Sequence, residues 1–146
     1  MPINRGGETK CVDTWLDSTL DSVDSAESAV LAVAQRLGFE EEDLHKIGMA
    51  VRESMVNAVV HGNHYSAHKK VHLAIVEASE RLTVTITDQG EGFELAMLPD
   101  PLADENLLKQ SGRGILLIQA FVDEFRVQRG HPSGTEVTMT KYLGRH

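Results

Sequence analysis

The sequence predicts an α/β (α+β) two-layer sandwich, in which helices cover one face of a mixed, mostly antiparallel sheet. Apolar residues recur at helical spacing over 22–37 and 40–61, and later stretches alternate apolar and polar residues around short turns. A chain of 146 residues suits one domain that buries its own core. We therefore expect one domain over residues 9–142, with loose termini at 1–8 and 143–146.

The first half of the chain is expected to contain one strand and two helices. The strand covers residues 9–16. The first helix runs from Ser22 to Leu37, and Gly38 follows as its stop signal. The second helix runs from Glu40 to His61, because four acidic residues at its start favour a helix N-terminus through the helix dipole. The dipeptide Gly62-Asn63 ends it.

The second half is expected to contain two hairpins and a short helix. Residues 89–111 contain glycines, prolines and mixed charge, and so long a segment inside a compact domain is usually functional or mobile. The strand before this segment alternates threonine with leucine, valine and isoleucine, as in a sheet with one wet face. The predicted elements are strands at 71–76 and 82–87, a helix at 114–121, and strands at 122–129 and 135–142.

Composition excludes some classes of partner. The net charge of −8 argues against broad binding to nucleic acid or to anionic lipid, since both need a basic surface. No stretch approaches the roughly 20 apolar residues that span a bilayer. The single cysteine, Cys11, allows no internal disulfide and is compatible with a reducing compartment. We expect a cytoplasmic protein with no nucleic-acid or membrane partner.

A polar stripe on the second helix is the first candidate site. Glu53, Asn57 and His61 are spaced four residues apart, so they share one face of the helix. The simpler interpretation is a solvated polar face. The functional interpretation is a magnesium site, in which Asn57 supplies an oxygen ligand one turn from the carboxylate of Glu53.

Asp88 is the second candidate. It follows Ile86 at spacing two, so its carboxylate points to the core face and needs a hydrogen-bonding partner. It either caps the following turn or accepts a hydrogen bond from an exocyclic amino group such as that of adenine. Gly90 and Gly92 follow at once and allow close approach of the backbone.

A third candidate precedes the short apolar helix. Gly112, Arg113 and Gly114 place free N–H groups at the positive end of that helix, which outlines a phosphate-binding site. The alternative is a flexible loop that enters a buried helix. A P-loop is excluded because the chain has no Gly-Lys-Ser/Thr. Thr135 opens the last strand with its hydroxyl inward, which alone indicates little because threonine is common in strands.

In order and spacing these motifs resemble those of the GHKL ATPase superfamily. The resemblance covers an N box, two glycine boxes and a last-strand motif, carried by Glu53-x-x-x-Asn57-Ala58 with His61-Gly62, by Asp88-x-Gly90-x-Gly92-Phe93, by Ser111-Gly112-Arg113-Gly114-Ile115 and by Gly134-Thr135-x-Val137. Stand-alone chains of this size resemble the anti-sigma-factor serine/threonine kinases of that superfamily.

The resemblance implies a Bergerat-type fold that binds ATP with Mg²⁺. In it Asn57 ligates Mg²⁺, Glu53 is the general base, and Asp88 accepts from the adenine amino group with Thr135 nearby through water. The glycines bring the backbone close to the nucleotide, and residues 94–111 form a lid. The residues implied at the nucleotide and its phosphates are Gly90, Gly92, Gly112, Arg113 and Gly114.

The resemblance also implies partners. They are an anti-anti-sigma protein whose serine or threonine is phosphorylated, a sigma factor or related regulator, and a second copy of the chain in a homodimer. One alternative is a nucleotide-gated binding protein without efficient catalysis. Another is a metal-binding module built on His61, His64, His68 and His72, against which stands the absence of a completing ligand at zinc spacing.

Overall fold

The computed structural model describes residues 8–90, 112–130 and 133–144. Helix α2 continues directly into a π-helical segment, and the remaining elements follow the predicted order. Their bounds are β1 Thr9–Asp17, α1 Leu20–Leu37, α2 Glu41–Val56, the π-helical segment Asn57–Gly62, β2 Lys70–Ala78, β3 Arg81–Thr87, α3 Gly112–Phe121, β4 Glu124–Arg129 and β5 Thr135–Tyr142.

The five described strands form one sheet in the order β1-β2-β3-β5-β4. Each pairing among them is antiparallel, with Leu73 opposite Ile86 and Val84 opposite Met139. Strands β2 and β3 alternate buried and half-buried residues, because one face packs against the helices and the other carries the threonines. This arrangement confirms the predicted α/β sandwich.

The core lies between this sheet face and the helices. Each fully buried aliphatic side chain contributes about 1.5–3 kcal/mol relative to exposure. Helices α1 and α2 pack on each other and α3 packs on α2. The largest fully buried side chains are Val23, Val30, Val51, Met55, Val59, Val71, Leu73, Ile75, Leu82, Ile86 and Ile118.

The second helix differs from its prediction. The α-helix ends at Val56, and the chain continues as the π-helical segment to Gly62. The N–H of Asn63 donates to the carbonyl of Ala58 at 2.8 Å, five residues back. A π-helical turn has the same apolar pattern as an α-helix over one turn, so periodicity does not reveal it. Such turns occur frequently at functional sites.

Both ends of the described domain contact the sheet. Arg81 Nη2 forms an ion pair with Oε1 of Glu8, and the N–H of Leu143 donates to the carbonyl of Glu80 at 2.7 Å. Glu8 and Leu143, which lie one residue outside the predicted boundaries at 9 and 142, therefore still contact the sheet. None of the helices in the described parts of the chain is long and apolar enough to cross a membrane.

Candidate functional site

Asp88 follows β3 directly and is the centre of the candidate site. Its side chain is 5% exposed, which confirms the prediction that it faces the core. Oδ1 accepts the N–H groups of Gly90 at 3.0 Å and of Thr135 at 3.2 Å. The backbone N–H of Asp88 in turn donates to the carbonyl of Thr135 at 3.0 Å. The end of β3 and the start of β5 therefore hold the carboxylate from both sides.

Glycines from separate segments enclose Asp88. A Cβ atom on Gly62 would lie 2.4 Å from Cγ of Asp88, and a Cβ atom on Gly134 would lie 1.9 Å from the backbone carbonyl oxygen of Asp88. A Cβ atom on Gly90 would lie 2.0 Å from the carbonyl oxygen of Gly62. Any other residue would collide at these distances. The π-helical segment, the turn after β3 and the start of β5 therefore converge because glycine stands at each contact.

The environment leaves part of the Asp88 carboxylate available. Burial raises the pKa of this carboxyl group, and the N–H groups of Gly90 and Thr135 and the charge of Lys69 only partly offset that effect. Among the described residues, both hydrogen bonds to the carboxylate end on Oδ1. Oδ2 thus keeps its capacity to accept a hydrogen bond from a ligand.

Glu53 and Asn57 precede Gly62 on the same continuous helix. Glu53 is in the last turn of α2, Asn57 begins the π-helical segment, and both are half-buried. The N–H of Asn57 donates to the carbonyls of Glu53 and Ser54, so the two side chains are one turn apart. Asn57 and Gly62 are the first and last residues of the π-helical segment. The segment from Asn57 to Gly62 therefore links Asn57 through the backbone to the glycine that packs against Asp88.

Asn63, which was predicted only as part of a helix stop and not as a site residue, is 1% exposed. Its Nδ2 donates to Oγ of Ser18 at 2.9 Å and to the carbonyl of Lys70 at 3.0 Å. Its Oδ1 accepts the N–H of Gln89 at 2.8 Å. Gly62 and Gly134 were recognised in motifs but not as walls of the site. The sequence shows Asn63 only as the residue after Gly62, a position that indicates the end of a helix and does not indicate a buried hydrogen-bonding role.

Other predicted site residues are described in part or not at all. Gly112 begins α3, and with Arg113 and Gly114 it forms the first turn of that helix. Farther along α3, Ile118 is fully buried, which anchors the helix. Gly92 and the predicted lid at 94–111 lie outside the described residues.

The described side chains include no cluster that could hold a metal ion without further ligands. In the described part of the chain, no three or more histidine, cysteine, aspartate or glutamate side chains form a group that could hold a metal ion. The histidines from His61 to His72 therefore do not form the alternative metal site. A magnesium ion held by Asn57 would need other oxygen ligands, such as phosphates and water.

Comparison with known proteins identifies the family. Residues 16–141 match the family model of the histidine kinase-like ATPase domain. The anti-sigma F factor of Oceanobacillus iheyensis is 31% identical over 122 residues, which cover 82% of this chain and 84% of that protein. The serine-protein kinases RsbW of Bacillus velezensis and Bacillus subtilis are 32% and 31% identical over 119 residues, covering 76% of this chain and 72% of each relative. The matched range includes Asp88 and the glycines around it, and this chain belongs to the histidine kinase-like ATPase domain family.

Proposed function

We propose that this chain binds ATP with Mg²⁺ and is an anti-sigma-factor protein serine/threonine kinase, which phosphorylates an anti-anti-sigma protein in a bacterial partner-switching pathway. The observation that carries the proposal is the buried Asp88 carboxylate, with Oδ1 held by two backbone N–H groups and Oδ2 available. Adenine presents an amino group as donor where guanine presents a carbonyl oxygen. An acceptor at this position therefore favours adenine.

We assign the phosphates of the nucleotide to residues of the helix layer. Asn57 supplies an amide oxygen for Mg²⁺, and the ion neutralises charge on the phosphates when bound. Gly112, Arg113 and Gly114 in the first turn of α3 offer N–H groups at the positive end of that helix. Gly90 and Gly92 bring the backbone close to the nucleotide. At Gly90 the backbone already lies so close to Gly62 and Asp88 that a Cβ atom would not fit.

Glu53 is the proposed general base. It stands one helical turn before Asn57 and is half-buried. Its carboxylate would accept the proton of an incoming serine or threonine hydroxyl. The hydroxyl oxygen would form a bond to the terminal phosphorus of ATP as the bond from that phosphorus to the bridging oxygen breaks and ADP leaves. Catalysis of this kind depends mainly on positioning and on charge stabilisation. The N–H of Thr135 donates to Asp88, and Thr135 would contact the adenine through a bridging water molecule.

The names of the relatives support the choice of partners. One set is named as anti-sigma F factors and another as serine-protein kinases. We accordingly propose a sigma factor or related regulator as the bound target. We also propose a homodimer as the working form, which the resemblance of the motifs implies, and the cytoplasm as its location.

Calorimetry tests the nucleotide half of the proposal. Titration of the protein with ATP and ADP at millimolar Mg²⁺ should show binding, and GTP should bind far more weakly. Absence of any heat of binding with both adenine nucleotides would contradict the proposal.

A matched pair of variants tests the kinase half. With labelled ATP and an anti-anti-sigma protein, Glu53→Gln should abolish phosphoryl transfer and keep ATP binding. Glu80→Gln makes the same chemical change at an exposed turn between β2 and β3 and should leave transfer intact. ATP binding with no transfer by the unmodified protein would instead support the nucleotide-gated binding protein.

A further inference from the structure

Asn63 joins three segments that surround the candidate site. Its amide group bonds Ser18 after β1, Lys70 at the start of β2, and Gln89 after β3. Both Nδ2 hydrogens and Oδ1 are used, in a position that is 1% exposed. The amide has one orientation, because a flipped group would point its NH₂ at the N–H of Gln89. We call these four residues the Asn63 network.

The network fixes the turn that carries Asp88. Gln89 lies between Asp88 and Gly90, and its N–H is held by Asn63 at 2.8 Å. The side-chain Oε1 of Gln89 also accepts the N–H of Lys70 at 2.6 Å. Gln89 is therefore held by both its backbone and its side chain. The orientation of the neighbouring carboxylate depends on this attachment.

The network also fixes the helix relative to that turn. Gly62, directly before Asn63, packs against the Asp88 carboxylate. The π-helical segment that ends at Gly62 begins with Asn57, the proposed magnesium ligand. One buried side chain is thus bonded to the turn that carries Asp88 and directly follows the helical segment that carries Asn57.

We propose that Asn63 is a positioning residue for nucleotide binding, which holds the Asp88 acceptor and the Asn57 amide at the separation that an adenine nucleotide requires. This inference rests on the proposed function, because it takes Asp88 and Asn57 as ligand-binding groups. Asn63 does not itself contact the nucleotide. It acts through the backbone of Gln89 and through Gly62.

The test compares Asn63→Ala with Ser18→Ala. Asn63→Ala removes the acceptor for the Gln89 N–H, whereas Ser18→Ala removes one partner of the same amide and keeps the bond to Gln89. Affinities for ATP, ADP and GTP are measured by calorimetry with Mg²⁺, below the unfolding transition of both variants. Asn63→Ala should weaken ATP and ADP binding by about tenfold or more, the size of loss seen when supporting hydrogen bonds are removed from metal sites.

The discrimination between nucleotides separates positioning from simple destabilisation. Asn63→Ala should also reduce the preference for ATP over GTP, while Ser18→Ala should keep both affinity and preference within about threefold. Equal affinities for Asn63→Ala and the unmodified protein would overturn the inference. Failure of the unmodified protein to bind ATP would instead overturn the proposed function.

A measurement on the unmodified protein covers the case in which Asn63→Ala does not fold. The Gln89 amide hydrogen should exchange with solvent at least about 100-fold more slowly than in an unstructured peptide, because it is bonded to a buried acceptor. Its exchange should slow further when ADP and Mg²⁺ are added. Exchange at the unstructured rate, or no response at a concentration where calorimetry shows ADP bound, would overturn the inference.

Discussion

Asp88 and Asp43 are both buried carboxylates, with 5% and 2% exposure, but different groups surround them. Asp88 receives backbone N–H groups from Gly90 and Thr135. Asp43, at the start of α2, lies 3.7 Å from Nζ of the buried Lys141, which lies equally far from Asp123. Lys141 pairs with Leu82 at the start of β3, whereas Asp88 follows the end of that strand. The two carboxylates therefore mark opposite ends of β3.

The difference separates a structural carboxylate from one available to a ligand. Lys141 supplies the charge that Asp43 needs inside the protein, so that ion pair attaches α2 to the sheet. No described ion pair includes Asp88, and burial raises its pKa. A carboxylate that carries this cost and keeps one oxygen available is expected at a binding site. Stability should therefore depend on the Lys141 end, and nucleotide affinity on the Asp88 end.

The largest expected effect is on stability at the Lys141 end. Lys141→Met removes the ammonium group between two carboxylates and should lower the free energy of unfolding by on the order of 3 kcal/mol. Urea denaturation measures the loss, and ATP affinity of the folded protein should not change. Arg36→Met, which breaks an exposed ion pair with Glu77, is the control and should cost much less. Equal losses in the two variants would contradict the structural role of Lys141.

At the Asp88 end, Asp88→Asn should affect binding and not folding. The amide can still accept the N–H groups of Gly90 and Thr135, but it presents NH₂ where Oδ2 accepts. ATP binding should weaken by about 1.5–3 kcal/mol, the value of a hydrogen bond to a charged group. The free energy of unfolding at pH 7 should stay equal or rise, because a buried charge is removed. Calorimetry and urea denaturation measure the two quantities; unchanged affinity would contradict the assigned role.

A smaller effect isolates the close packing around Asp88. Gly134 and Gly144 have similar positive φ angles, +91° and +84°. They differ in the space around them, because a Cβ atom on Gly134 would collide with Asp88, whereas one on Gly144 would meet nothing within 4 Å. Gly134→Ala should therefore lose about 1–3 kcal/mol more stability than Gly144→Ala. It should also weaken ATP binding, while Gly144→Ala should not. Similar losses in both variants would show that backbone strain alone governs Gly134.

The smallest effect is a pH dependence. The folded-state pKa of Asp88 is raised above its usual value of 3.8, so its favourable contribution is complete below that pH and is lost as pH rises through the folded-state pKa. The stability of Asp88→Asn relative to the unmodified protein should therefore increase as the pH rises from 3.8 towards neutrality. Urea denaturation across this range measures it; a constant difference would contradict the raised pKa.

Much of the fold was predictable from local pattern. The alternation around Leu82, Val84 and Ile86 predicted β3 and the inward direction of Asp88, because side chains in a strand repeat every two residues. Gly38 was correctly expected to end the first helix, where its φ of +100° suits glycine. The roles assigned to Glu53 and Asn57 stay predictions, since their position on one helix face does not establish a ligand.

The sequence by itself determined the order of the elements, the family and the inward-facing Asp88, because each depends on short-range periodicity or on a motif. Only the tertiary structure decided the π-helical segment, the enclosure of Asp88 by Gly62 and Gly134, and the bonds of Asn63. Asn63 and Gln89 are 26 residues apart, and Asp88 and Thr135 are 47 apart. Contacts at such separations depend on how the helix layer and the sheet pack together, which no local pattern specifies.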